Sequence, residues 1–107
     1  MSNIQILLKD NDNILEVSGL VNELTGAFLN AAVVTVTLKD SAGVNVTGDT
    51  WPKTMTYVTA SNGTYRATLG FNLALTTGQR YTAAVIADGG AGLRATWAVD
   101  CVTRART

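Results

Sequence analysis

Gly63-Thr64-Tyr65-Arg66-Ala67-Thr68-Leu69 sets the pattern that decides the fold, and it recurs as Gly78-Gln79-Arg80-Tyr81-Thr82-Ala83-Ala84-Val85 and Gly92-Leu93-Arg94-Ala95-Thr96-Trp97. Each time a glycine turn feeds a strand of alternating side chains anchored by an aromatic ring. Alternation with a period of two places one set of side chains on each face of a strand. Working outward, Val33 to Lys39 alternates cleanly, with Val34, Val36 and Leu38 facing in. Ile4–Leu8, Ile14–Val21, Val44–Val46, Thr54–Thr59, Tyr81–Ala87 and Leu93–Val102 complete a set of short strands. In the second of these, Leu15, Val17, Gly19 and Val21 share a face, and Phe28 and Leu29 form a short bridge segment.

Turn chemistry separates the strands. Lys9-Asp10-Asn11-Asp12-Asn13 reads as a turn, because Asn and Asp tolerate left-handed φ and bond their own backbone. Asn22 to Gly26 also turns. Asp40-Ser41-Ala42-Gly43 and Ser61-Asn62-Gly63 read as hairpin loops. Thr47–Lys53 is irregular and holds Pro52, which cannot sit in a central strand. Phe71 to Leu75 reads as a loop whose apolar residues plug one end of the core. No segment has helical periodicity. The expectation is one all-β domain over residues 1–107, an immunoglobulin-like β-sandwich of seven to eight antiparallel strands, with Arg104–Thr107 as a frayed tail.

Composition narrows function. Apolar residues make up 47% and charged residues 15% of the chain, against about 25% charged in ordinary soluble domains. Much of the surface is therefore neutral. Eight acids balance eight bases, so no overall field draws the chain to nucleic acid. Residues 1–53 carry three lysines against six acids, and residues 54–107 carry five arginines against two. Interleaved strands would average that polarity. Head-to-tail attraction between copies is the sharper alternative. Arg66, Arg80 and Arg94 alternate outward on late strands as a possible stripe. Histidine is absent, so Ser2, Ser18, Ser41, Ser61 and Cys101 lack the usual base for nucleophilic catalysis. No enzyme activity and no cofactor are expected. Asp10-x-Asp12 lacks the further oxygen ligands and the glycine of a calcium loop. Gly89-Gly90-Ala91-Gly92 lacks the lysine of a phosphate loop. Cys101, the single cysteine, excludes an intrachain disulfide and is expected to pack as a small apolar residue. No secretory leader or membrane contact is expected from the first ten residues, whose apolar run is too short to span a bilayer.

Taken in order, Val34-Thr35-Val36-Thr37-Leu38-Lys39-Asp40 with Gly43, Gly63-Thr64-Tyr65, Gly78-Gln79-Arg80-Tyr81-Thr82 and the closing Trp97 resemble immunoglobulin-like modules of tailed-bacteriophage virions, over residues 14–103. With one cysteine the chain departs from the antibody type, which pairs two around a core tryptophan. The resemblance implies an accessory structural role: capsid decoration, neck or head–tail joining protein. Its partners would be capsid, portal or tail subunits, or further copies of itself, and it would be assembled in the host cytoplasm and located on the virion.

Two surfaces are candidates for such contacts. Ala84 and Ile86 face opposite to Tyr81, Ala83 and Val85, and Ala98 faces opposite to Trp97 and Val99, so the sheet has a neutral second face. The chain's own N-terminal strands covering that face is the competing expectation. Ile4, Ile6 and Leu7 in the first strand are candidates for edge pairing, and Trp51, beside Pro52, for an exposed interface anchor. The alternative function is a glycan- or receptor-binding adhesion module using Trp51, Tyr57, Tyr65, Tyr81 and Trp97, and a third is an enzyme accessory domain.

Overall fold

The structure, a computed structural model, describes residues 4–22, 25–90 and 93–105; the side chains of Ile4, Leu93 and Trp97 fall outside that description. Among the described residues all regular structure is β, in seven strands: β1 Ile4–Leu8, β2 Asn13–Val17, β3 Val33–Asp40, β4 Lys53–Tyr57, β5 Tyr65–Leu69, β6 Arg80–Gly90 and β7 Leu93–Arg104.

The pairing order is β1-β7-β6-β3-β4-β5-β2. β4 joins two ladders. Its first residues pair with β3, as in Val34↔Met55, and its last pair with β5, as in Tyr57↔Tyr65. The β1-β7-β6-β3 ladder and the β5-β2 ladder then bury their inward side chains in one core. Val34, Val36, Leu38, Ala83 and Val85 come from the first, and Leu15, Tyr65 and Leu69 from the second; each is at most 1% exposed. The strict alternation of burial along β2, β3, β5 and β6 is the sequence's period of two made physical. The two charge-biased halves do interleave, since β6 and β7 lie between β1 and β3.

The polar tips of the large core aromatics are satisfied. Tyr65 donates its hydroxyl to the Leu29 carbonyl (2.7 Å) and accepts from the Ala32 N–H (3.0 Å). Tyr81, at the start of β6, accepts from the Thr76 N–H five residues upstream (2.8 Å). Asn62 and Gly63 turn the β4–β5 hairpin with φ of 58° and 87°. A Cβ on Gly63 would lie 2.6 Å from the Leu20 carbonyl oxygen, so only glycine lets that segment close against the hairpin.

Several expectations are corrected. β1 runs parallel to β7, with Leu7 beside Thr103, so the strands are not all antiparallel. The Lys9–Asp12 turn carries the chain from one ladder to the other, which lays β1 alongside β7. β2 ends at Val17, because Gly19 takes φ 70°; Val21 makes only an isolated bridge to Phe28 and is exposed. The expected strand Val44–Val46 reduces to the bridge Lys39↔Asn45. There the Asp40 carboxylate accepts the Ala42 and Val44 N–H groups and closes the loop, and the segment stays beside β3 through bonds from the Asp40 N–H to the Val44 carbonyl and from the Val46 N–H to the Leu38 carbonyl (2.9 Å each). Leu73 and Leu75 plug the core as expected, but Phe71 is 63% exposed. Arg104 belongs to β7, and its carbonyl accepts the Lys9 N–H; residues 106 and 107 of the expected tail lie outside the described residues.

Candidate protein interface

The register assembles a surface that single strands could not display. On the outward face of the larger ladder Thr35 lies beside Ile86, which lies beside Thr96. One row along, Thr37, Ala84 and Ala98 stand side by side, and Thr54 of β4 extends the face from Thr35. None of these seven side chains is charged. Charges stand at the perimeter: Lys39, Asp100 and Arg80 toward one end, Asp88 and Arg94 at the other. The exposed apolar side chains Val33, beside Asp88, and Ile6, beside Val102, occupy opposite corners.

Five strands spaced about 4.8 Å apart, and rows about 26 Å from end to end, give the face a footprint of roughly 500 Å². A standard protein interface takes about 800 Å² from each partner. An uncharged centre inside a polar rim shares with protein interfaces the depletion of charge at the middle of the patch. β1 pairs at the margin of the ladder and does not cover the face, which leaves Ala84 and Ile86 partly exposed.

The other expected site residues fall differently. Leu7 is 1% exposed and belongs to the core, because its register beside the buried Thr103 puts its side chain on the inward face of the ladder while the alternate positions face outward. Ile6 is 45% exposed on the outer face, and the side chain of Ile4 lies outside the described residues. Trp51 is not an exposed anchor. It is half-buried against the core and donates its indole N–H to the Val46 carbonyl (2.7 Å), so its polar tip is spent internally. Tyr65 and Tyr81 are buried, at 1% and 6% exposure, and are not available to stack on a sugar; the Trp97 side chain lies outside the described residues. Arg66 sits on β5 in an ion pair with Glu16, while Arg80 and Arg94 stand at opposite ends of the β6–β7 pair, so the three arginines form no stripe.

Elsewhere the chemistry is muted. Desolvation pushes the buried Cys101 thiol up to about 11, which keeps the reactive thiolate scarce. Among the described residues no three His, Cys, Asp or Glu side chains come together around a metal site. A shallow groove of about 410 Å³ opens on the outer side of β2, β4 and β5, lined in part by Ile14, Lys53 and Arg66. Both of its cations are engaged, Lys53 with Asp49 (2.8 Å) and Arg66 with Glu16.

One residue escaped the sequence reading. Asn13 is 7% exposed, accepts the Leu8 N–H (2.9 Å) and donates to the Leu8 and Asn11 carbonyls (3.1 Å each). Its signal, an asparagine closing a turn just before an apolar run, is the same as that of an ordinary turn residue. In comparison with known proteins, the chain matches no family model and no curated protein sequence.

Proposed function

We propose that this chain is a non-enzymatic, immunoglobulin-like binding module that docks in many copies on a symmetric assembly, as a decoration, neck or head–tail joining component of a phage particle. The observation that carries the docking is the uncharged centre of the outer face, Thr35, Thr37, Ala84, Ile86, Thr96 and Ala98, ringed by charges at the strand ends. The immunoglobulin-like assignment draws support from the bond between the Tyr81 hydroxyl and Thr76 at the start of β6, the arrangement known as a tyrosine corner in such sandwiches. The virion setting rests on the sequence resemblance.

A footprint of this size holds weakly one copy at a time, and a lattice makes it strong by raising the effective concentration of every further contact. The test is to band phage particles from a lysate whose genome encodes the chain and to quantify it by mass spectrometry. The wild-type chain should co-band in fixed stoichiometry. The Ala84→Glu and Ile86→Glu variants should fold with melting points near wild type and be lost from the particles. A wild-type chain absent from the particles overturns the virion setting. Variants retained at wild-type stoichiometry overturn the role of this face.

A further inference from the structure

We propose that the outer edge of β1 is a self-pairing edge, which joins two copies of this chain through antiparallel β1 strands about a two-fold axis at Gln5. The backbone polarity of β1 follows from one bond. The Lys9 N–H donates to the Arg104 carbonyl, so residues 5, 7 and 9 direct their backbone groups to β7, and residues 4, 6 and 8 direct theirs away from it. β1 ends the pairing order, so among the described residues that outward row meets no further strand.

The row is closed at one end only. The Asn13 carboxamide takes both outward groups of Leu8, its N–H and its carbonyl, as a neighbouring strand would. Among the described residues Ile6 has only the long bond from the Gln5 side-chain amide to its carbonyl (3.3 Å). Among the described residues nothing else guards the edge, and Ile-Gln-Ile-Leu-Leu contains no charge and no proline, the devices that keep edge strands apart.

These facts select the occupant and the register. Among the described residues the open groups belong to Ile4 and Ile6, two residues apart. In an antiparallel pair centred on Gln5, Ile4 of each copy faces Ile6 of the other, and each pair exchanges two N–H···O=C bonds. A pair centred on Ile6 would set Ile4 against Leu8, whose groups Asn13 already holds. A short edge with two matching open residues is thus complementary to itself. The pairing would also run the outer faces of the two copies together, since Ile6 lies on that face beside Val102. It stands whether or not the outer face docks on a particle.

The geometry supplies its own probe. At the centre, Gln5 meets Gln5 of the second copy as a close, non-hydrogen-bonded pair with Cα atoms about 4.5 Å apart, within disulfide range. The measurement uses the full chain carrying Gln5→Cys and Cys101→Ala, kept in a glutathione redox buffer and followed on non-reducing gels. A disulfide-linked dimer should accumulate. Adding Ile6→Pro, which deletes an outward N–H, or Ile6→Lys, which charges the edge, should slow its formation about tenfold. Melting curves of each variant establish that it is folded, and the two Ile6 variants guard against either one failing alone. A chain that stays monomeric, or dimers that form as fast with Pro or Lys at position 6, would overturn the proposal. The particle-banding experiment is unaffected by either result.

Discussion

Replacing Asn13 with alanine probes the joint between the two ladders. The side chain makes three hydrogen bonds, to the Leu8 N–H at 2.9 Å and to the Leu8 and Asn11 carbonyls at 3.1 Å each, from a position 7% exposed. Each is worth about 1 kcal/mol net, and Leu8 lies at an edge where water can reach the freed groups, so the loss is about 2–3 kcal/mol rather than more. In a domain of this size that lowers the melting temperature by about 10–20 °C. Circular dichroism melts of Asn13→Ala against wild type measure it. A drop below about 2 °C would mean that the amide does not hold β1. Asn13→Asp sharpens the reasoning. A carboxylate keeps the Leu8 N–H bond but sets an oxygen against two carbonyls, so its folded-state pKa is raised above the unfolded value. A group of that kind weakens the fold at neutral pH and releases the penalty as pH falls through its folded pKa. Asn13→Asp should therefore be as unstable as Asn13→Ala at pH 7 and recover on mild acidification, while Asn13→Ala should show no such recovery.

Other substitutions test the core. Tyr65→Phe strands the part-buried Ala32 N–H and Leu29 carbonyl and should cost about 1–2 kcal/mol by chemical denaturation. Among the described residues the buried Thr103 hydroxyl has no partner, so Thr103→Val should raise stability by about 1 kcal/mol; a loss of that size would reveal a bond the hydroxyl makes. Cys101, raised from 9.0 to about 11 by burial, should resist thiol reagents in the folded chain and react on unfolding. Its sign is that of a group with a raised folded pKa: stability is intact below pH 9 and falls as pH rises toward 11, by about 2 kcal/mol at the upper end. The Cys101→Ala chain should lack that component of the alkaline loss.

Strand identity was legible wherever a local rule governs it. Val34, Val36 and Leu38 alternate with threonine and lysine, and a strand with one buried face can satisfy that order in only one way. The neutral second face was legible for the same reason, since Ala84 and Ile86 occupy the off-beat of a buried row. What was not legible is set by partners distant in sequence. Nothing in Ile4–Leu8 announces a parallel neighbour about ninety-six residues away, yet that pairing decides that Leu7 is core and Ile6 is surface. Trp51 reads as an exposed loop aromatic until its indole N–H is seen to reach Val46. Asn13 reads as turn chemistry until both of its amide atoms reach Leu8.

The disposition of charge bears on why such a face exists. Among the described residues two ion pairs form, Lys53–Asp49 and Arg66–Glu16, and neither lies on the neutral rows of β3, β6 and β7. Exposed pairs of this type add little to stability, typically below about 1 kcal/mol. A fold that needed only to stay soluble would spread its charges over every outward row, because a bare sheet face invites association. Threonine and alanine in the central rows give up that protection while keeping the face flat enough to meet another flat surface without desolvating a charge. A roughly 500 Å² footprint of this kind loses too much on association to retain a single copy tightly. It becomes effective once neighbours hold one another in place, which repeated docking sites or a paired β1 edge would each provide.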